Sequence, residues 1–249
     1  MDDIIKSAIN YNNKNMKKSK FIVKITSSDN NTNKRDYYIY NKVKSIKGFI
    51  KHYCIYNCLE DDTCKNLYHK DNYIIISKYY NNSSIKNFKW KADNIYILKS
   101  LIKQILISLM EAYNKYGFIH KNIHLDNYLI KSTKKEYIEY KDINIKSEGY
   151  KVAISDFDLS IINIDINNDY YIYYYWANII FFFSRIECDL LLNYGISTTN
   201  RDKLYNLLYK YQSDHINANK TLDLLELIDD LNIKISSSIL YDNYKPTLI

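Results

Sequence analysis

Between residues 92 and 116 the apolar side chains Ile95, Leu98, Ile102, Ile105, Leu109 and Ala112 recur at steps of three and four. That spacing sets them on one stripe of a long helix. Asp93 or Asn94 stands where an N-terminal cap belongs, and Gly117 where a left-handed C-terminal cap belongs. This is the strongest regular segment in the chain, and the other elements are placed relative to it.

Ahead of it, residues 7–11 read as a short strand and 12–19 as a turn. Residues 21–25 (Phe-Ile-Val-Lys-Ile) give a compact β-branched strand signal, and 27–33 read as a loop. Residues 34–50 have helical spacing, with Ile39, Val43 and Ile46 on one stripe. Residues 52–59 and 72–80 read as two further strands. Behind the long helix come a loop (120–127), a strand (128–130), a charged stretch (131–149) that fits a protruding hairpin, and a strand (150–154). Residues 170–186, 201–211 and 221–231 are the remaining helix candidates. The order predicts an α+β domain: a small mixed lobe (1–80) joined to a mostly helical lobe (81–249), the joint falling near residues 77–84.

Composition excludes several classes. Of 249 residues 47% are hydrophobic, enough for a folded core. Ile, Asn, Lys and Tyr abound, with 28 Tyr against 4 Gly and 1 Pro, a usage that follows AT-rich codons. With so few glycines, Asn must fill many turns that need a positive φ, and no glycine-rich phosphate loop can be written. The net charge of +7 is spread thinly, densest at residues 14–20, which speaks against nucleic acid as a partner. The N-terminus lacks the apolar core of a signal peptide. The tyrosine-rich run 170–183 is too short and too polar to span a membrane, so a buried helix is expected there. Four cysteines without a secretory signal point to a reduced intracellular protein. His52, Cys54, Cys58, Cys64 and His69 contain no Cys-x-x-Cys pair, and their spacing speaks against zinc.

Residues 120–127 read His-Lys-Asn-Ile-His-Leu-Asp-Asn, and residues 156–158 read Asp-Phe-Asp after the apolar strand Val152-Ala153-Ile154. The first run resembles the protein-kinase catalytic loop, His-Arg-Asp-Leu-x-x-x-Asn; the second resembles the metal-binding Asp-Phe-Gly. The strand at 21–25 looks like the family's Val-Ala-Ile-Lys. The resemblance implies a two-lobed protein-kinase-like fold with a reduced N-terminal β lobe, ATP and magnesium as cofactors, and specific roles. Lys24 would grip the nucleotide phosphates. Asp36, counted back from Val43, would brace Lys24 in place of the usual Glu, one methylene shorter. Asn127 and Asp156 would hold magnesium, and His120 would fix the loop.

Departures from that pattern bear on activity. Asn122 stands where the family has its catalytic aspartate, and a carboxamide is no base near neutral pH. Losing a positioned general base typically lowers the rate about 10²–10⁴-fold. Asp126 is the weak candidate to replace it. No Gly precedes Lys24, Asp158 replaces the Gly of Asp-Phe-Gly, and no Ala-Pro-Glu follows. Tyr174-Tyr175-Trp176-Ala177 looks like the family's Asp-x-Trp-Ser helix start, with Tyr174 or Asp169 in the bracing position. His124 and the Asp-Phe-Asp form are similar to small-molecule phosphotransferases of the aminoglycoside and choline kinase type. With its codon bias the chain is similar to kinase-like proteins of large DNA viruses, which implies the host cytoplasm. The reading is a pseudokinase: a regulatory module for a protein partner, with at most weak ATP–magnesium binding. The alternative is an active Ser/Thr protein kinase or small-molecule phosphotransferase.

Overall fold

The computed structural model describes residues 21–27, 32–57, 72–80, 83–141, 143–190, 198–212, 214, 216 and 218–230. The expectations for residues 7–11 and 12–19, the basic run at 14–20, Cys58, Cys64 and His69 lie outside the described residues.

Strand β1 (Phe21–Ser27) and helix α1 (Thr32–Val43) are followed by β2 (His52–Asn57) and β3 (Asn72–Lys78). The sheet order is β1-β3-β2, both pairs antiparallel. β3 is central and carries Ile74, Ile75 and Ile76, all buried, as a strand covered on both faces must. α1 presents Asp36, Ile39, Tyr40 and Val43, spaced i, i+3, i+4 and i+7, and all four are buried. The helical spacing expected to run through residue 50 ends at Val43. Beyond it the chain turns, and Gly48 takes φ +89° with its α-carbon packed against Ser108; a Cβ there would sit 2.0 Å from the Ser108 hydroxyl. Ile46 and Ile50 stay buried from this turn.

The long helix α2 (Ile95–Tyr116) follows a short 3-10 turn at Ala92–Asn94. It is the spine of the core, with Leu98, Leu101, Ile102, Ile105 and Ala112 almost fully enclosed. Gly117 ends it in the left-handed conformation, its N–H bonding back to the Tyr113 carbonyl at 2.8 Å. At the other end Asn94 occupies the N-cap position without capping α2. Its side chain turns back, taking the Lys91 N–H and donating to the Lys89 carbonyl.

β4 (Tyr128–Ser132) pairs antiparallel with β7 (Tyr150–Ile154). Between them β5 (Tyr137–Glu139) and β6 (Asn144–Lys146) form the expected hairpin. It does not protrude. Ile138, Tyr140 and Ile145 are buried, Ser100 of α2 donates to the Lys146 carbonyl, and Gln104 of α2 donates to the Tyr150 carbonyl and accepts from Val152 N–H. The charged residues of this stretch face outward around three buried apolar ones, so its composition concealed its docking face. Helices α3 (Asp169–Arg185, prolonged by a π turn at Ile186–Leu190), α4 (Thr198–Tyr211) and α5 (Ala218–Asp230) complete the fold. Of the α3 tyrosines, Tyr175 is buried while Tyr170 and Tyr173 are exposed. No described helix is long and apolar enough to cross a membrane.

Candidate functional site

Lys24 projects from the middle of β1. Its ammonium lies 3.2 Å from Asp36 Oδ2 and 2.5 Å from Asp156 Oδ1. Two residues 132 positions apart are thereby joined across the domain. The shorter Asp36 reaches Lys24 directly because it stands on the buried stripe of α1, where the helix presses against β2 and β3. Burial alone would push the Asp36 carboxyl up; His52 and Lys24 beside it hold it below the ordinary carboxylate range. Burial likewise pulls on Lys24, but Asp36 and Asp156 outweigh it and raise its pKa.

His52, on β2, was not singled out as a site residue by its sequence position. Its Nδ1 lies 2.6 Å from the Ser77 hydroxyl, and its Nε2 lies 3.4 Å from Asp36 Oδ1. That last contact is not aligned as a hydrogen bond, and both atoms are otherwise without a partner. His52, the first named of the five residues weighed for zinc, is thus turned toward Ser77 and Asp36. Among the described residues no group of three His, Cys, Asp or Glu side chains converges to hold a metal.

The loop 120–127 is fixed from below by His120, which is buried. A carbonyl only accepts, so the 3.0 Å contact with the Ser155 carbonyl assigns the proton to Nε2; Nδ1 then accepts the Asn122 N–H at 3.2 Å. The ring is neutral, and burial pushes its pKa down. The His120 carbonyl takes the Ser160 hydroxyl, and the Ser160 carbonyl takes Arg35 of α1. Phe157, fully buried, packs edge-to-face against His120, His52 and Phe118 and at a tilt against Phe49, at centroid separations of 5.9, 6.2, 6.1 and 5.7 Å. With Tyr40 against His52 at 4.6 Å, an aromatic column runs from α1 to the loop. Each such pair adds roughly 0.5–1.5 kcal/mol beyond the area it buries.

Above this column sit the polar groups. Asn122 donates its side-chain amide to Asp156 Oδ2 at 2.7 Å and, more distantly, to Asp158 Oδ1 at 3.4 Å. Asn127 donates to the Asn122 carbonyl at 3.0 Å, which leaves its amide oxygen uncommitted. Asp156 adopts φ +67° and Lys121 φ +63°, a region that strains any residue with a Cβ and tends to mark functional loops. The structure therefore links Asp36, Lys24, Asp156, Asn122 and Asn127 in one series of polar contacts, with His120 beneath. Asp126 is not part of that group. Its carboxylate accepts from Ser84 and Asn87 and pairs with Lys86, partners on the strand-to-helix connection. Tyr174 does not brace the loop through a hydrogen bond; it receives the Lys121 ammonium 5.6 Å from its ring centre.

The segment after Phe157 is short and tied down. Ile119 and Ile161 exchange backbone hydrogen bonds at 3.0 and 2.9 Å, Asn163 N–H reaches the Tyr116 carbonyl, and the Tyr113 hydroxyl reaches the Ile166 carbonyl.

The oxygen donors here are one carboxylate and one amide, hard ligands of the kind magnesium takes when phosphates and water supply the rest. Both oxygens of Asp156 already accept, Oδ1 from Lys24 and Oδ2 from Asn122, so the pair matches that ion in donor type alone. No known family's sequence profile matches the chain, and neither does any curated protein. Solved structures do match, 212 chains of them. One is the kinase domain of BubR1, with a TM-score of 0.51 and 14% identity over 84% of this chain and 71% of that one. The fold is protein-kinase-like. At that identity the likeness speaks for the fold alone, and the chemistry rests on the residues just described.

Proposed function

We propose that this kinase-like protein is a pseudokinase: a two-lobed binding module that does not transfer phosphoryl groups and acts through a protein partner. The observation that carries this is Asn122. Where phosphotransfer needs a group that accepts the substrate hydroxyl's proton, the chain holds an amide whose N–H is committed to Asp156 Oδ2 at 2.7 Å. An amide offers no basicity near neutral pH, and Asp126 is engaged elsewhere.

On this reading the three-stranded sheet and α1 form the small lobe, and the Lys24–Asp156 contact bridges to the helical lobe. Lys24 would meet the nucleotide phosphates. Asp156 and the Asn127 amide oxygen would hold a magnesium ion, which when bound supplies charge neutralisation for those phosphates. The intact Lys24–Asp36–Asp156 pairing supports weak nucleotide binding as the remaining activity.

Thermal unfolding with and without ATP, each with magnesium or a chelator, tests this. A ligand at 100 times its Kd stabilises the native state by about 2.7 kcal/mol. A magnesium-dependent rise in Tm that disappears in Lys24→Met is expected. No shift at millimolar ATP would leave a scaffold without a nucleotide. Measurable transfer of phosphate to any acceptor by the unmodified chain overturns the pseudokinase assignment.

A further inference from the structure

Asp36 is approached from both edge strands of the small sheet. On β1 Lys24 stands opposite Ile75 of β3, and on β2 His52 stands opposite Ser77. Ile75 and Ser77 are two apart on one strand, so Lys24, His52 and Ser77 share one face, the face that α1 covers. Lys24 meets Asp36 Oδ2 at 3.2 Å, and His52 Nε2 faces Asp36 Oδ1 at 3.4 Å. The Asp36 side chain is 1% exposed and that of His52 4%. Neither of the facing atoms, Oδ1 or Nε2, is open to solvent or has another partner, and an enclosed polar group left so is costly.

The surroundings assign the ring proton to Nε2. His52 Nδ1 lies 2.6 Å from the Ser77 hydroxyl, which can donate or accept. A bare Nε2 would set its lone pair against the carboxylate. An Nε2–H sets a positive end there instead, and Ser77 then donates to Nδ1. At 3.4 Å this is an electrostatic contact and not an aligned hydrogen bond, but enclosure away from water strengthens it. The ring has no room to turn aside. Tyr40 meets it edge-on at 4.6 Å, Phe157 edge-on at 6.2 Å, and Tyr37 lies tilted at 6.4 Å. Lys24 has a second acid in reach, Asp156 at 2.5 Å. A flexible lysine shared between two acids cannot fix Asp36; a ring packed on three sides can.

We infer that His52 is a positioning residue: through its Nε2–H, with Ser77 fixing the ring, it orients the Asp36 carboxylate so that Oδ2 stays on the Lys24 ammonium. The use of that ammonium for a nucleotide phosphate rests on the nucleotide site proposed above; the positioning of Lys24 itself does not.

Acylation of Lys24 by acetic anhydride, followed by mass spectrometry on the full chain and normalised to the exposed Lys210, tests this without any nucleotide. The Lys24 side chain is 36% exposed, so the reagent reaches it, and only the uncharged amine reacts. His52→Phe keeps a ring in the aromatic column and removes the N–H. Lys24 is expected to acylate about three- to tenfold faster in it, because an ammonium less well paired gives up its proton more readily. His52→Gln loses the ring but keeps a donor, and is expected to bring the rate back to within about twofold of the parent. Ser77→Ala leaves His52 in place, guards against a folding defect in the ring variants, and raises the rate about two- to threefold. An unchanged rate in both His52→Phe and Ser77→Ala overturns the role. So does equal acceleration in His52→Phe and His52→Gln, which makes the ring packing alone. Calorimetric titration of the same variants with ATP and magnesium is read separately. Binding weakened about tenfold in His52→Phe and recovered in His52→Gln carries the role through to the nucleotide. A parent that binds no ATP, while acylation responds as expected, refutes the nucleotide site and leaves the positioning of Lys24 standing.

Discussion

The Asn122 side-chain amide and Asp156 Oδ2 meet at 2.7 Å, which makes the loop residue a donor to that carboxylate. A carboxylate at position 122 would repel Asp156 across the same gap. Asn122→Asp is expected to lower stability by about 1–2 kcal/mol in chelator, given partial exposure and screening. For a chain of this size the Tm falls by roughly 2–6 °C. Magnesium restores part of that loss, as melting curves with and without the ion show. Phosphotransfer assays on the variant should stay at background. Turnover restored by this one change would instead mark a kinase silenced only at its base.

Asp36 sits between Lys24 and His52 with its carboxyl held below the ordinary value of 3.8. A depressed carboxyl contributes stability above its unfolded pKa and loses it as pH falls through the folded one. Asp36→Asn should cost about 2–3 kcal/mol at neutral pH, since Lys24 is partly solvated and keeps Asp156. Denaturant titrations should show the difference shrinking below about pH 4. The raised Lys24 adds the mirror image: its share is complete below pH 10.5 and fades as pH rises beyond it.

His120 is neutral and buried, with its pKa pushed below 6.5. The unfolded chain gains a proton near 6.5 that the folded one resists, so stability is retained above that pH and falls below it. The slope contributed by this residue approaches about 1.4 kcal/mol per pH unit. Replacing His120 with Phe should lower stability at pH 7 through the lost Ser155 and Asn122 bonds, and flatten the decline between pH 6.5 and 5. Unfolding midpoints across that interval measure both effects.

Gly48 holds the turn after α1 against Ser108 with φ +89°. An added methyl would collide at 2.0 Å and strain the backbone as well. Gly48→Ala should destabilise by about 2–4 kcal/mol. Gly149→Ala also has a positive φ but meets nothing within 4 Å, so it should cost only about 1 kcal/mol. Parallel thermal melts of the two variants separate steric from conformational cost.

Much of the fold was legible one segment at a time. The three- and four-residue recurrence of apolar side chains placed α2, and Gly117 marked its end, because both depend on local geometry. The strands at 21–27, 72–78 and 150–154 announced themselves through β-branched runs. The motif residues were equally visible, since their order along the chain is itself the signal. Boundaries set by distant contacts were not. α1 stops at Val43 because Gly48 must meet Ser108 on another helix, and the charged stretch 131–149 folds back because Ile138 and Ile145 find α2.

By itself the sequence determined the elements, their order and which side chains carry charge, for these follow from period, propensity and residue chemistry. Only the tertiary structure decided which charges meet. It drew Lys24 to Asp156 across 132 positions, turned Asp126 away toward Lys86, and put His52 behind Asp36. The physical reason is that the packing of apolar faces fixes the backbone first. Polar groups then find partners only where that packing leaves them, and no local pattern in the chain records those distances.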